Sequence, residues 1–268
     1  MQYLQKQTEW MQLLQEEKTG GVYGGILIDT KETIPTYKME ELSLEASACF
    51  AAALAKFSYV YQSYNPEYAA QCLKAADRAW EYINKQQKDI TDELSPMLYC
   101  AATELYRASG QGSYRLAAKR FLETSVKTGE SFWDTCGSVT YLSTRHTVNV
   151  EYCNTIMKDL MTCAEKISVG ARSQVYLTDG KADFSNTKEL LWNMVILSVA
   201  DYVITNHEYA TVIENHQHFF AGCNPTGVCL VQEEGCDSFW DGGEGIQQNL
   251  LMNAYYICML SQILNREE

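Results

Sequence analysis

The chain has 268 residues, of which 46% are hydrophobic and 21% charged, and its formal net charge is −13. This length can bury a sizeable core, and the acidic balance, with no stripe of Lys and Arg among aromatic residues, argues against nucleic acid or a membrane surface as a partner. No apolar run approaches the roughly 20 residues of a membrane span, and the first residues lack the apolar centre of a signal peptide. We therefore expect a chain that stays in the cytoplasm.

Helical spacing dominates the first part of the chain. Large side chains three and four residues apart over residues 3–16 predict a helix with one buried face, which the glycines of residues 20–25 end. Residues 26–37 alternate briefly and predict a short hairpin. An alanine-rich run over residues 41–64 predicts a central helix that its neighbours can approach closely.

The rest of the chain continues in helices with short turns. Asn65 and Pro66 form the cap and the first position of the next helix, which predicts an antiparallel neighbour for the alanine-rich one. Residues 168–183 are the least helical part and predict a loop. Further helices are predicted over residues 91–110, 111–127, 133–143, 149–167, 188–204, 209–222 and 246–264.

About ten helices joined in hairpins are typical of a stacked or circular array of helical pairs. No linker composition interrupts them, so one domain over residues 1–268 is predicted.

The ten cysteines mostly stand singly within apolar helical patterns, as Cys49 and Cys100 do. A free thiol there packs like a small hydrophobic side chain, so reduced thiols are predicted. Cys223, Cys229 and Cys236 form the one group in which we would look for a bridge or a metal.

Three segments resemble glycoside hydrolase family 9. Residues 45–81, which include EASACFAAALA and NPEYA, are similar to the family's alanine-rich inner helix, its (D/N)PEYA turn and the outer helix that follows. Residues 92–114 look like its DE…AAAELYRATGD…Y helix, and HFFAGCNPTG at residues 218–227 resembles its YLLGxNPxG element. The resemblance extends over residues 10–254 and implies an all-α fold, an (α/α)6-barrel-like toroid of helical hairpins, here incomplete by the first helical pair.

The resemblance also implies a chemistry. Members of the family are usually secreted and hydrolyse β-1,4-glucans with inversion, using an aspartate pair in an Asp-Ala-Gly-Asp-type motif to activate water and a late glutamate as general acid. No such aspartate motif occurs in the 268 residues. When the family's NE…WNA element is aligned on Asn253 and Ala254, Gln247 takes the place of the acid, and glutamine cannot protonate a leaving group.

The stretch after Gly227 carries carboxylates and a tryptophan among glycines, where the family has a His-x-Arg element. Asp237, Asp241 and Glu244 are spaced four and three residues apart. They could supply the two carboxyl groups, about 6.5–9.5 Å apart, that inverting hydrolysis needs. A solvated acidic loop is the alternative, and a calcium site is a third interpretation, although the spacing is not that of an EF-hand.

Trp240, Trp133 and Tyr141 are candidates for stacking on sugar rings, whose C–H faces are apolar and whose rims are polar. Core packing is the alternative for Trp133, whereas Trp240, next to Asp241, is predicted to be exposed. The remaining tryptophans stand at helical spacing with apolar residues and are predicted to be core: Trp10, Trp80 and Trp192.

Three functions stay open at this point. The first is an impaired or non-catalytic relative that at most binds a β-glucan or an oligosaccharide. The second is an active O-glycosyl hydrolase with acids rebuilt from Asp237, Asp241 and Glu244, together with Asp92 or Glu93. The third is an interaction scaffold. No cofactor apart from calcium is expected.

An incomplete ring of helices would leave apolar faces open on either side of the gap. A homodimer, or a completing partner chain, is therefore predicted to cover residues 1–40 and the C-terminal helix.

Overall fold

The computed structural model describes residues 2–29, 36–86, 88, 90–124, 127–178, 186–205, 207–231, 246 and 249–264. Within these ranges the chain forms ten α-helices and two small antiparallel sheets, so the predicted all-α fold is confirmed. It divides into two compact units, Met1–Ile156 (unit 1) and Met157–Glu268 (unit 2). The single domain over residues 1–268 stays a prediction. In the described part of the chain, no helix has the length and apolar character needed to cross a membrane.

Unit 1 contains six complete helices and the start of a seventh. These are α1 (Gln2–Gln12), α2 (Leu44–Tyr61), α3 (Pro66–Lys85), α4 (Ser95–Ser109), α5 (Gly112–Thr124), α6 (Phe132–Ser143) and the first residues of α7 (Val150–Arg172). Unit 2 contains the rest of α7, α8 (Thr187–Ile204), α9 (Ala210–Phe220) and α10 (Leu250–Leu264).

The strands all lie between α1 and α2. They are β1 (Val22–Tyr23), β2 (Ile26–Asp29), β3 (Thr36–Met39) and β4 (Leu42–Ser43). β1 pairs with β4, with Val22 opposite Ser43, and β2 pairs with β3, with Ile26 opposite Met39. The short hairpin predicted over residues 26–37 is confirmed in its described residues.

Capping residues determine where several helices of unit 1 begin and end. The side chains of Ser43, Asn65 and Ser131 accept hydrogen bonds from the first turns of α2, α3 and α6, and so satisfy backbone donors that have no partner within the helix. Gly110 ends α4 with a φ of 70°, a left-handed conformation that glycine adopts at little cost.

The core of unit 1 is built on small residues. α2 packs on α3 and α4, and α4 packs on α5 and α6. Alanines are buried along the contact faces of α2 and α4. At Gly137 of α6 an added Cβ would lie 2.7 Å from the ring of Tyr99. Helices with such faces approach each other closely, as the alanine-rich run predicted.

Two predictions about helix faces and ends are wrong. Met11 and Leu14 pack against the core, but Tyr3, Leu4 and Trp10 lie on the exposed side of α1, and Trp10 is 53% exposed. The spacing alone could not distinguish the two sides of so short a helix. Of the other two tryptophans predicted to be core, Trp80 is buried in the core of unit 1, and Trp192 is partly buried against the core of unit 2.

Helix α7 continues to Arg172, beyond its predicted end at residue 167. Ser168 and Ala171 are buried at helical spacing from Ala164, so packing in unit 2 extends the helix into the region predicted to be a loop.

In unit 2, α8 packs on α10 and α9 around a core of aliphatic and aromatic side chains. Asp201, fully buried near the end of α8, accepts hydrogen bonds from the backbone N–H of Tyr209 at 3.2 Å and from the side-chain amide of Gln262 at 3.1 Å. This carboxylate therefore links α8 to the start of α9 and to α10.

Candidate functional site

Helices α2, α4 and α6 run in the same direction through unit 1. Near the start of α2 and α4, Sγ of Cys49 lies 4.0 Å from Sδ of Met97. Farther along the same two helices, Nζ of Lys56 lies 3.2 Å from Oε1 of Glu104. The amino ends of α2 and α4 therefore lie at the same end of the unit.

The same comparison holds for α4 and α6. The hydroxyl of Tyr99 lies 3.4 Å from Oγ of Ser138, and farther along both helices the hydroxyl of Thr140 donates to Glu104 at 2.7 Å. The amino end of α6 thus lies with those of α2 and α4, and loops from three separate stretches of sequence meet there.

Carboxylates gather at these amino ends. Glu45 is in the first turn of α2, Asp92 and Glu93 form a turn immediately before α4, and Asp134 is in the first turn of α6. The partial positive charge of a helix amino terminus favours negative groups at such positions. Of the residues predicted to take part in catalysis, Asp92 and Glu93 are the ones that the described structure brings to this end.

A cleft of about 620 Å³ opens between the amino ends of α2 and α4 and the carboxyl end of α3. Its lining combines the carboxylates of Glu45 and Glu93 with hydroxyl, amide and apolar groups, a mixture that suits the polar rims and apolar faces of sugar rings. The other lining residues are Leu42, Ser43, Leu44, Tyr82, Gln86, Thr91, Leu94 and Met97.

Cys49 lies on α2 one turn after Glu45. Burial, with the nearby charge of Glu45, raises the pKa of its thiol to about 11, so it is not a thiolate nucleophile at neutral pH. The nine cysteines in the described residues are free thiols.

Asp134 is the buried carboxylate at this end of unit 1, only 4% exposed. The Ser131 hydroxyl donates to its Oδ2 at 2.7 Å, while Oγ of Ser131 accepts from the Asp134 backbone N–H at 3.1 Å. Its Oδ1 has no hydrogen-bond partner in the described structure. Burial raises the pKa of this carboxyl, and the hydrogen bonds from Ser131 oppose that effect.

Sequence reasoning missed Asp134. The available signal was the Ser-x-x-Asp pattern at residues 131–134, which resembles a helix capping box and is normally interpreted as a structural feature. A buried carboxylic acid with a raised pKa and an unpartnered oxygen is a common feature of catalytic and ligand-binding sites.

Glu104, in contrast, is surrounded by groups that compensate its charge. It is buried between Lys56 and Arg107, accepts a hydrogen bond from Thr140, and so joins α2, α4 and α6 at mid-length. Burial alone would lower the pKa of Lys56, but the charge and hydrogen bond of Glu104, together with nearby Cys136 and Cys100, outweigh burial and the pKa is raised. Its charge is compensated on two sides, so we assign Glu104 to packing.

In unit 2, the segment over residues 218–227 forms a rigid turn around Asn224. The Asn224 amide donates to the carbonyls of Phe219 at 2.9 Å and Val228 at 2.7 Å, and its Oδ1 accepts from the backbone and the hydroxyl of Thr226. Gly222, with a φ of 112°, occupies a conformation that side chains rarely adopt. The turn ends α9 and directs the chain through Val231 toward the acidic stretch.

That acidic stretch lies outside the described residues. The predictions for Asp237, Trp240, Asp241, Glu244 and Gln247 therefore stay predictions, as does a calcium site there. Among the described residues, no group of three His, Cys, Asp or Glu side chains is placed to hold a metal ion, and Cys236 is not among them.

The two described stacking candidates lie mainly inside unit 1. Trp133 is partly buried against the core, with its ring centroid 5.2 Å from that of Phe132. Tyr141 is 2% exposed near the carboxyl end of α6, away from the cleft, and its hydroxyl accepts from the backbone N–H of Asn149 at 3.1 Å. Sugar stacking by either ring stays a prediction.

The buried histidine of unit 2 is a packing group. The Nδ1 atom of His216 lies 2.8 Å from the Val212 carbonyl, and burial lowers the pKa of the ring to about 4. It is therefore neutral at pH 7 and donates to that carbonyl.

The helical hairpins, with carboxylates at the amino ends of parallel inner helices, define an all-α protein of the (α/α)6-barrel class. The chain belongs to glycosyl hydrolase family 9, whose family model matches residues 7–239. The resemblance recognised in the sequence is thereby confirmed.

Two relatives with assigned activities show similar sequences. A cellulose 1,4-β-cellobiosidase of Acetivibrio thermocellus is 31% identical over 36% of this chain and 13% of its own length. A xyloglucan-specific endo-β-1,4-glucanase of Bacteroides ovatus is 23% identical over 88% of this chain and 47% of its own length.

Solved structures show the same fold. A single mutant of a thermostable endoglucanase from Alicyclobacillus acidocaldarius matches with a TM-score of 0.73 at 24% identity, over 84% of this chain and 48% of that one. A Bacteroides ovatus family 9 protein matches with a TM-score of 0.73 at 20% identity, over 84% and 49% of the two chains. This chain thus spans about half the length of these two solved structures.

Proposed function

We propose that this chain binds β-1,4-glucan oligosaccharides in the cleft at the amino ends of α2 and α4, and that it hydrolyses them slowly or not at all. The observation that carries the proposal is the cleft itself, in which Glu45 and Glu93 stand beside hydroxyl, amide and apolar groups. Carboxylates and amides hydrogen-bond sugar hydroxyls, and apolar side chains contact ring faces. Family membership supports the choice of ligand, because both relatives are named for β-1,4-glucans.

Slow or absent hydrolysis is supported by the sequence. The resemblance to the family places Gln247 at the position of the general acid. Proton transfer by a positioned acid contributes about 10²–10⁴ in rate, so replacing it with an amide would leave binding with little turnover.

Active hydrolysis is the second candidate, and Asp134 is the observation that favours it. Burial raises the pKa of this carboxyl, which is the direction in which the pKa of a general acid is displaced. Under this alternative, Asp134 would be one of the two carboxyl groups that inverting hydrolysis needs.

Titration calorimetry of the full chain with cellotetraose and cellohexaose tests binding. Glu93→Gln and Glu45→Gln should each weaken binding about tenfold, because each replaces a charged acceptor with a neutral one. Glu67→Gln is the matched control, since Glu67 occupies the first turn of α3 and therefore lies at the opposite end of unit 1. If neither oligosaccharide gives a heat of binding, the binding proposal is wrong and the interpretation as an interaction scaffold remains.

Release of reducing ends from cellulose, xyloglucan and mixed-linkage β-glucan tests hydrolysis. We expect no release above the rate of an unfolded control. Release that Glu244→Gln or Asp134→Asn abolishes would establish the active alternative and show that the altered carboxyl group takes part in it.

A further inference from the structure

Helix α1 turns a polar face toward the rest of unit 1. The Thr8 hydroxyl lies 3.0 Å from the hydroxyl of Tyr68, and the Gln12 amide donates to the same hydroxyl at 3.1 Å. The Tyr61 hydroxyl donates to Oε1 of Gln5 at 2.7 Å. A surface helix ordinarily buries its apolar side, whereas α1 is attached to unit 1 largely through hydrogen bonds.

The opposite face of α1 carries its largest apolar groups. Tyr3, Trp10 and Leu13 are 72%, 53% and 76% exposed, and Lys6 is exposed between them. Leu13 lies one residue beyond α1, in a turn in which its N–H donates to the Trp10 carbonyl at 3.1 Å. At about 100° per residue, these four positions fall within an arc of roughly 80° and form one continuous stripe, here called the α1 stripe.

The spacing of the α1 stripe is that of a coiled-coil seam. Tyr3 and Trp10 are seven residues apart, and Lys6 and Leu13 repeat the same interval three residues later. Intervals of three and four residues are those of the a and d positions, which pack against a second helix. An apolar stripe of this kind, open to solvent, is characteristic of a protein interface.

We propose that the α1 stripe pairs with the α1 stripe of a second copy of this chain, in antiparallel orientation about a twofold axis. In that orientation Tyr3 faces the partner's Leu13, and Lys6 faces the partner's Trp10. The contact between an ammonium group and an indole ring is attractive. The sequence of the stripe is therefore complementary to itself, as a twofold interface requires.

The antiparallel orientation is preferred over the parallel one. In a parallel pair Lys6 would face the partner's Lys6, and two like charges would lie in the centre of the seam. Leu13 also distinguishes a protein partner from a sugar ligand, because it is the most exposed member of the stripe and has no aromatic face on which a sugar could stack.

The available area suits a reversible dimer. The exposed parts of Tyr3, Trp10 and Leu13 amount to roughly 400 Å² in each copy, or about 800 Å² for the pair, which is the size of a weak, transient contact. Each copy carries a formal charge of −13, so association should strengthen as salt screens the repulsion. The pairing does not depend on whether the cleft binds glucan.

Sedimentation velocity of the full chain over a concentration series tests the pairing. We expect a monomer–dimer equilibrium, and Trp10→Lys should raise its dissociation constant at least tenfold because the new lysine would face the partner's Lys6. Leu116→Lys is the matched control, since Leu116 is 63% exposed on α5 and lies outside the stripe. Circular dichroism checks that α-helix content is unchanged.

A charge exchange tests the orientation. Combining Lys6→Glu with Trp10→Lys places opposite charges against each other in the antiparallel pair, so the double variant should associate more tightly than Trp10→Lys alone. Three results would each overturn the proposal. The wild type could be a monomer at every concentration, the dimer could be insensitive to Trp10→Lys, or the double variant could associate no more tightly than Trp10→Lys alone. If Trp10→Lys loses oligosaccharide binding while its sedimentation is unchanged, the α1 stripe binds sugar and does not form a dimer interface.

Discussion

Among the described residues of unit 1, Glu104 and Asp134 are buried carboxylates with different surroundings. Glu104 is held between Lys56 and Arg107, and its charge contributes to the packing of three helices. Asp134 is held by the Ser131 hydroxyl and leaves Oδ1 without a partner. An unpaired buried charge costs free energy, and such a cost is often retained where function requires the group. The surroundings, and not the residue type, therefore identify Asp134 as the functional candidate.

We predict that Asp134→Asn raises the free energy of unfolding at pH 7 by about 1 kcal/mol, because the variant keeps an oxygen that accepts from Ser131 and removes the buried charge. The raised pKa of Asp134 means that the folded wild type is favoured by protonation, so its stability should increase as pH falls through that pKa. The advantage of the variant should therefore shrink at acidic pH. Urea unfolding at pH 7 and pH 4 measures this difference, and a variant less stable than wild type at pH 7 would contradict the prediction.

At the scale of elements, the cleft depends on the parallel packing of α2, α4 and α6. Small residues at the contacts let these helices approach closely, and Glu104 sets their register at mid-length. The amino ends are thereby brought together with their carboxylates. Displacing one inner helix should disturb the cleft without altering any residue that lines it.

Gly137→Ala, measured by urea unfolding, tests the close packing of α4 and α6 on which the cleft depends. The added Cβ would lie 2.7 Å from the Tyr99 ring and 3.1 Å from the Cys100 Cα atom, so α6 must move away from α4. We expect the free energy of unfolding to fall by about 1–3 kcal/mol, in the range of overpacked cores. Gly112→Ala is the control, because apart from its chain neighbours and the adjacent backbone of α5 no atom lies within 4 Å of the position that its added methyl group would take. Equal stability of the two variants would show that α4 and α6 are not in close contact at Gly137.

At the scale of the whole molecule, membership of glycosyl hydrolase family 9 is established over residues 7–239, and the fold matches solved endoglucanases with TM-scores of 0.73. The chain spans about half the length of those structures. Family membership is therefore the basis for the proposed class of ligand, while turnover depends on the acids that this chain presents.

Gln247→Glu tests whether the missing acid limits turnover. If the rest of the catalytic machinery is present, the variant should release reducing ends from β-1,4-glucan at least about 100-fold faster than wild type, the lower part of the range for general acid catalysis. Gln248→Glu is the matched control, because it adds the same charge at the next position. No gain from Gln247→Glu, with glucan binding intact, would mean that the absent acid is not the sole defect.

The helices, their caps and the family could be predicted from the sequence because they depend on residues close together along the chain. Apolar spacing, Asn65 with Pro66, and the segment around Asn224 each act over a few residues. The sequence also offered Asp92 and Glu93 as candidate acids, and their role stays a prediction. Which face of α1 is exposed, how far α7 continues and why Asp134 differs from Glu104 were decided by tertiary structure, because burial and charge compensation at one residue depend on segments distant in sequence.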